Sequence, residues 1–165
     1  MKKLTLLITL LLVIGGCSKE VSYDQLVERG GVKYEVNSQT PFTGSVVNYY
    51  DNGQLRYKES YKDGKPDGYG ESYSENGHLL GTAYFKDGKP EGLWETYHEN
   101  GQLESKTNYK DGKEDGLYEI YYDNGQLEVK GNYKNGTRDG LWEAFFENGQ
   151  LGFRKNYKDG EEIQP

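Results

Sequence analysis

The sequence predicts an all-β protein, a single-layer antiparallel β-meander of tandem 24-residue hairpin repeats. Two series of turn dipeptides carry this prediction, because both recur with the same unbroken period. Asn-Gly lies at 52–53, 76–77, 100–101, 124–125 and 148–149. Asp-Gly or Asn-Gly lies at 63–64, 87–88, 111–112, 135–136 and 159–160. Since type I′ turns need positive φ at both central positions, these dipeptides indicate hairpins closed by tight turns.

The composition agrees with a thin, ordered sheet. Only 33% of the 165 residues are apolar, which is little for a thick two-layer core. The chain nevertheless has 16 Tyr and an aromatic content of 14%. Disordered chains lack aromatic residues, so this composition favours a folded protein.

The N-terminus has the pattern of a secretory signal peptide, which we assign to residues 1–16. Lys2 and Lys3 precede an apolar stretch over 4–14. That stretch is too short to span a bilayer, which takes roughly 20 residues. Its end, Ile-Gly-Gly followed by Cys17, resembles the lipobox of bacterial lipoproteins. The resemblance implies cleavage before Cys17 and acylation of that residue; the alternative is an ordinary signal peptide with an incidental cysteine.

Charge and cysteine content limit the partners. The chain carries a net charge of −7, and removal of residues 1–16 would make it about −9. Such a protein is not expected to bind nucleic acid, and anionic lipid headgroups would repel it. Membrane association should therefore come from the lipid on Cys17, the single cysteine. We predict an exported protein anchored to a bacterial membrane, and Ser18 implies the outer membrane in a Gram-negative source.

The turns divide the remaining chain into a tether and an array. Residues 17–31 are predicted to form the lipidated cysteine and a tether, partly helical or flexible. Residues 32–161 form the array of five units, and 162–165 form a tail. Ten strands are expected over 44–157, with a further one at 32–36. Short connections allow antiparallel pairing only.

A two-residue turn at each Asn-Gly fixes the expected register. It predicts these facing pairs: Glu99 with Gln102, His98 with Leu103, Thr96 with Ser105, Glu95 with Lys106, Glu119 with Lys130, and Glu143 with Arg154. In the first two units it places Val47 opposite Lys58 and Glu71 opposite Thr82. Opposite charges that recur directly across the strands support this register.

This register predicts two amphipathic faces. One face carries the candidate partner-binding residues Trp94, Tyr118, Trp142, Tyr109, Tyr133 and Tyr157, together with the leucine row Leu55, Leu79, Leu103, Leu127 and Leu151. The other face carries four glutamates at the same repeat position, the glutamate ladder (Glu71, Glu95, Glu119 and Glu143). It also carries Leu93, Leu117 and Leu141, and the row Tyr49, Tyr73, Tyr97, Tyr121 and Phe145. The aromatic residues of the first face either cover the sheet or bind a partner, since exposed apolar stripes and Tyr or Trp residues mark interfaces.

No arrangement of residues points to catalysis. The two histidines, His78 and His98, occupy variable repeat positions. The turn at 63–68 resembles a calcium loop, but Lys65 stands at a ligand position. Three of the four glutamates of the ladder face cations, which lowers their pKa rather than preparing them for acid catalysis. We therefore predict a non-enzymatic protein without metal or cofactor.

The repeated unit, Gly-Leu-Trp-Glu-x-Tyr-x-x-Asn-Gly-Gln-Leu followed by Tyr-Lys-Asp-Gly-Lys, resembles the bacterial variant of the MORN repeat found in YwqK-like proteins. The entry segment over 40–44 also matches the start of such arrays. The resemblance implies a non-enzymatic module that binds proteins, dimerises or lies at membranes. The label often given to these proteins, antitoxin component, implies neutralisation of a toxin by direct binding.

Two functions follow from these observations. The first is a lipid-anchored repeat scaffold that binds a protein partner at the bacterial envelope or surface through its Tyr/Trp-rich face. The alternative is an immunity or antitoxin protein that neutralises one dedicated toxin. A homodimer is a further arrangement that the resemblance allows.

Overall fold

The computed structural model describes residues 19–164, which form one long β-sheet with a small hairpin at its N-terminal end. The first strands are β1 (Glu20–Ser22), β2 (Leu26–Arg29), β3 (Val32–Glu35), β4 (Gly44–Tyr49) and β5 (Leu55–Lys62). The middle strands are β6 (Lys65–Tyr73), β7 (Leu79–Lys86), β8 (Lys89–Pro90), β9 (Gly92–Tyr97) and β10 (Leu103–Lys110). The last strands are β11 (Lys113–Tyr121), β12 (Leu127–Lys134), β13 (Thr137–Phe145), β14 (Leu151–Lys158) and β15 (Glu161–Ile163).

The predicted fold class is confirmed. From β4 to β15 the strands pair antiparallel in the order of the chain, with one interruption. The short β8 and the following β9 both pair with β7, and they act together as one strand. The one parallel pair among the described strands joins β1 to β4. The described residues contain no helix long and apolar enough to cross a membrane.

The two turn series differ in conformation. In the Asp-Gly series both residues have positive φ, as at Asp111 (50°) and Gly112 (86°), which is the predicted type I′ turn. In the Asn-Gly series only the glycine has positive φ. There the Gly101 amide donates to the His98 carbonyl at 2.9 Å, and the His98 amide donates to the Gln102 carbonyl at 2.8 Å. The loop is thus one residue longer than predicted, a type I turn followed by a glycine bulge.

This longer loop corrects part of the predicted register. Leu103 faces Tyr97 rather than His98, and Gln102 pairs with His98 rather than Glu99. A second bulge at Glu104 then restores the predicted alignment. The confirmed facing pairs are Thr96 with Ser105, Glu95 with Lys106, Glu119 with Lys130, Glu143 with Arg154, Val47 with Lys58, and Glu71 with Thr82.

The shift also moves the leucine row to the other face. Directly facing residues in an antiparallel pair point to the same side of the sheet. The observed pairs are Tyr49 with Leu55, Tyr73 with Leu79, Tyr97 with Leu103, Tyr121 with Leu127, and Phe145 with Leu151. The leucines therefore lie with the second aromatic row and not with Trp94, contrary to the prediction.

Hydrogen bonds between successive repeats hold both edges of the array. At one edge the Gly112 amide donates to the Pro90 carbonyl at 2.9 Å. At the other edge the Asn100 side-chain amide donates to the Asp123 carbonyl at 2.7 Å. Equivalent bonds at the first edge are made by Gly64, Gly88, Gly136 and Gly160. Each repeat thus contacts its neighbours only, which is the arrangement of a solenoid.

The N-terminal segment forms a cap on the first repeat. Residues 20–31 comprise β1, a short 3₁₀ turn (Tyr23–Gln25) and β2, so this part of the expected tether has one helical turn between two strands. The strand expected at 32–36 forms as β3, but it pairs with β2 outside the main sheet. The cap completes a buried cluster that consists of Val21, Phe42, Val46 and Tyr61.

Candidate partner-binding surface

The six predicted aromatic residues lie on one face of the sheet, in two groups of contacting rings. Trp94 packs on Tyr109 with ring centroids 4.8 Å apart, and Phe85 joins this group at 5.1 Å from Trp94. In the second group Tyr133 lies 5.0 Å from Trp142 and 5.3 Å from Tyr118, while Tyr157 lies 6.3 Å from Trp142. We call this set with Phe85 the aromatic column. The six residues named from the sequence thus share one face of the sheet.

Glycines make room for these rings. Tyr109, Tyr133 and Tyr157 each face a glycine on the neighbouring strand: Gly92, Gly116 and Gly140. The Trp142 indole lies directly over Gly131, where a Cβ would collide with the ring. The sheet therefore uses strand glycines to let large rings approach the backbone.

Trp142 is part of the packing and does not present its ring to solvent. It is 1% exposed, and its indole N–H donates to the Asn132 carbonyl at 3.1 Å. The Arg138 guanidinium covers the ring at 4.5 Å from its centroid. The prediction that Trp142 contacts a partner is therefore corrected: the residue supports the column from within.

Trp94 and the tyrosines of the column are half-buried, so part of each ring remains accessible. The Trp94 indole N–H donates to the Tyr84 carbonyl at 3.0 Å. Burial raises the pKa of the Tyr109 and Tyr118 hydroxyls above their ordinary value. These hydroxyls stay protonated and remain hydrogen-bond donors near neutral pH.

A gap interrupts the column at Gly70, which occupies the repeat position of Trp94 and Trp142. The missing ring leaves a depression of about 300 Å³. Its lining includes Tyr57, Glu59, Gly81, Ala83, Phe85 and Trp94. The sequence contained the signal for this site, because Gly70 breaks an otherwise bulky series, but the prediction did not assign it a role.

The opposite face carries the glutamate ladder with tyrosine partners that sequence reasoning missed. The Tyr97 hydroxyl donates to Glu95 at 3.0 Å, and the Tyr121 hydroxyl donates to Glu119 at 2.8 Å. Burial, together with the Glu119 hydrogen bond and charge, raises the pKa of Tyr121 to about 12. The Glu-x-Tyr spacing places both side chains on one face of a strand, and it is the signal that could have revealed these pairs.

Glu143 is the exception in this ladder. Its i+2 neighbour is Phe145, which has no hydroxyl, and Glu143 instead accepts bonds from Lys130 at 2.9 Å and from Arg154 at 2.8 Å. These two cations lower the pKa of the Glu143 carboxyl. Lys130 faces Glu119 as predicted, but its ammonium binds Glu143.

An exposed apolar row also lies on the ladder face. Tyr69 is 71% exposed, and Leu93, Leu117 and Leu141 are 41–44% exposed. The sequence placed the three leucines on this face, and the structure confirms that placement.

The other candidate groups have structural positions or lie outside the described residues. His98 Nε2 forms a hydrogen bond with the Tyr121 carbonyl at 2.8 Å. Two repeats earlier, the Tyr50 hydroxyl donates to the Tyr73 carbonyl in the same way. Within residues 19–164 no group of three or more His, Cys, Asp or Glu side chains is arranged to hold a metal ion. Cys17, the predicted lipid attachment site, lies outside the described residues.

A single sheet of stacked hairpins, with contacts between neighbouring units only, defines a repeat scaffold. The chain belongs to the MORN repeat variant family, whose profile matches residues 42–63, 66–87, 90–111, 114–135 and 138–159. This match confirms the five units of the predicted array. MORN repeats are generally protein-binding or membrane-binding scaffolds. A search of curated proteins finds no match to this chain.

Proposed function

We propose that this protein is a lipid-anchored, non-enzymatic scaffold that binds a protein partner at the bacterial envelope through the accessible part of its aromatic column. The observation that supports this proposal most is the two groups of contacting rings on a sheet face that no second layer covers beyond the cap on the first repeat, within residues 19–164. Aromatic side chains that combine rigidity with a large contact area are typical of binding hot spots. Trp94, Tyr109, Tyr118, Tyr133 and Tyr157 are the residues proposed to meet the partner.

The proposed anchor is a lipid on Cys17, joined to the cap by two residues. The cap is fixed to the first repeat by a salt bridge of 2.7 Å between Lys58 and Glu20, and a second one of 2.7 Å joins Lys19 to Glu35 within the cap. An acylated Cys17 would therefore hold the N-terminal end of the array close to the bilayer. The outer membrane is the proposed location in a Gram-negative source.

Replacement of Cys17 by Ala should abolish lipid attachment and leave the precursor uncleaved, because the thiol is the proposed site of acylation. Metabolic labelling with a radioactive fatty acid and membrane fractionation measure this change. Ser18→Ala is the matched control and should keep the label. Labelling of the Cys17→Ala protein would contradict the anchor.

Site-specific photocrosslinking tests the binding surface in cells. A photoreactive phenylalanine analogue replaces Tyr109 in one variant and Leu93 in the matched control, so that the two faces of the same hairpin are compared. We expect a discrete crosslinked protein from position 109 and a weaker product from position 93. Crosslinks from position 93 alone would contradict binding by the aromatic column.

The identity of the crosslinked protein separates the two functions. A single stoichiometric partner with a toxin domain would establish the alternative, an immunity or antitoxin protein. Envelope proteins without such a domain would establish the scaffold.

A further inference from the structure

The gap at Gly70 differs from every other position of the aromatic column. The repeat positions equivalent to Gly70 hold these side chains: Val46, Trp94, Tyr118 and Trp142. The strand positions that face them and are equivalent to Glu59 hold Ala83, Thr107, Gly131 and Lys155. Gly70 is the one residue of the first series that lacks a side chain, and it faces the carboxylate of Glu59.

Glu59 lies at the edge of the gap, and no cationic side chain forms a salt bridge with it in the described part of the chain. It is half-buried. Burial raises the pKa of its carboxyl, and the Tyr61 hydroxyl and Lys33 oppose only part of this effect. A desolvated carboxylate without a cation is costly, so a cation that arrives there gains the pairing energy.

Aromatic rings border the same depression. Tyr57 lies on the β5 side, while Phe85 and Trp94 lie on the β7 and β9 side with their ring centroids 5.1 Å apart. A volume of about 300 Å³ is at the small end of ligand pockets, and this fits one side chain rather than a large cofactor. Rings combined with a carboxylate favour a planar cation, because a guanidinium stacks on aromatic faces and binds carboxylates with paired N–H groups.

The chain itself shows this geometry three repeats after Gly70. The Arg138 guanidinium lies 4.5 Å from the Trp142 ring centroid and 5.3 Å from that of Tyr157, on the same face of the sheet. Trp142 is the repeat equivalent of Trp94. In the gap, the ring surface is present and a carboxylate is added, but the chain supplies no arginine from residues 19–164.

We propose that the Gly70 gap is a receptor for one arginine side chain of a partner protein, with Glu59 pairing its guanidinium and Tyr57, Phe85 and Trp94 framing it. The net charge of −7 favours such a basic partner segment. The proposal rests on the proposed function, since it names the chemistry of the partner at that same face. It excludes a neutral or acidic anchor residue at this point.

The test uses the soluble chain from residue 18 onward with a Met start, because the described part holds the whole array and cap, and a five-residue peptide with a central arginine between glycines. NMR of the two indole N–H signals reports binding, since Trp94 borders the gap and buried Trp142 is an internal reference. We expect a millimolar Kd for this single anchor and a shift of the Trp94 signal alone. A matched peptide with neutral citrulline should bind about tenfold more weakly, since it lacks the charge-assisted bond.

Two variants remove different parts of the site. Glu59→Gln keeps the shape of the gap and should lower the affinity for the arginine peptide to that for the citrulline peptide. Gly70→Tyr should fill the gap and abolish both interactions; a Cβ at position 70 makes only ordinary contacts of 3.6–3.8 Å. Glu71→Gln, on the opposite face, is the control and should leave binding unchanged.

The proposal would be overturned by equal affinity for the two peptides, by full binding in Glu59→Gln, or by equal shifts of both indole signals. Its failure is distinct from failure of the proposed function. Crosslinking from position 109 would still show a partner on the aromatic column if the peptide did not bind. Conversely, peptide binding without any crosslink would support the arginine receptor and contradict the proposed binding of an envelope partner.

Discussion

Individual side chains on the aromatic face divide into supports and accessible groups. Trp142 is 1% exposed and uses its indole N–H within the sheet, whereas Trp94 is half-buried and borders the gap. Two residues at the same repeat position therefore serve different purposes. The difference arises from their surroundings, since Arg138 and Gly131 let Trp142 sit deep.

Substitution of Trp142 by Ala should lower the free energy of unfolding by about 3–5 kcal/mol, the range for loss of a buried aromatic side chain. Trp94→Ala should cost less, roughly 1–3 kcal/mol, because part of its ring is already in water. Urea denaturation followed by circular dichroism measures both values. Equal losses in the two variants would contradict the division into support and accessible group.

Two glutamates should respond to pH with opposite signs. The pKa of Glu143 is lowered by Lys130 and Arg154, so its contribution is present above the ordinary pKa of 4.5 and is lost as the pH falls through the folded-state pKa. The pKa of Glu59 is raised by burial, so stability is full below 4.5 and declines as the pH rises through the folded-state pKa.

Glu143→Gln should therefore lower the thermal midpoint at pH 7, and Glu59→Gln should raise the stability there by roughly 1 kcal/mol. The Glu59 difference should disappear at pH 3, where that carboxyl is protonated, and the Glu143 difference should shrink as the pH falls toward its folded-state pKa. Calorimetry at the two pH values measures them, with exposed Glu104→Gln as the control. A stabilising Glu143→Gln or a destabilising Glu59→Gln at pH 7 would contradict the sign of the contribution that each carboxylate is expected to make to stability.

At the scale of strands and turns, a local change of one residue alters a whole face. The Asn-Gly loops take three residues, and the bulge that follows restores the register of the later pairs. Between loop and bulge, however, the leucine row is transferred to the face of Tyr97. A turn dipeptide therefore predicts where a hairpin lies better than it predicts which face its first strand residue takes.

Gly112→Ala should lower the free energy of unfolding by about 1–2 kcal/mol, because an L-residue is strained at a φ of 86°. Gly70→Ala is the matched control, since its Cβ meets ordinary contacts and its φ is not positive. The control should be neutral or slightly stabilising, as Ala orders a strand better than Gly. Similar losses in both variants would contradict the type I′ assignment.

The strands and their order could be predicted because the repeat period and the turn dipeptides can be recognised in the sequence. The cap could not, since Val21 and Phe42 follow no period and Val21 is far in the chain from Tyr61. The aromatic column was predictable from alternation, whereas the burial of Trp142 depends on Arg138, whose stacking on the ring the alternation does not specify. The Gly70 gap was visible as a break in the repeat, but its depth required the neighbouring rings to be placed.

At the scale of the whole molecule, stability should be the sum of the repeats and the contacts between neighbours. The hydrogen bonds that join successive turns recur at every Asp-Gly or Asn-Gly turn of the glycine edge, and at the other edge they are made by Asn52, Asn100 and Asn124. The cap ends this series at the N-terminal side with the buried cluster around Val46. Removal of one complete unit should therefore leave a shorter sheet of the same kind.

Deletion of residues 100–123 keeps the period and should give a folded protein with two strands fewer. Its m-value in urea should fall by about one-sixth, because less surface is exposed on unfolding. Deletion of 100–111 is the control, since it removes half a period and reverses the direction of every later strand. A cooperative transition in the control, or none in the first variant, would contradict independent stacking units.

The last strand of the sheet has a consequence for how copies of the protein behave at high local density. β15 has three residues, two of them glutamates, and Lys155 holds it in place through a 2.7 Å bond to Glu162. A strand that is short and acidic offers little backbone to an incoming edge and repels another acidic chain. Molecules at high local density would thus stay separate instead of joining edge to edge into a continuous ribbon.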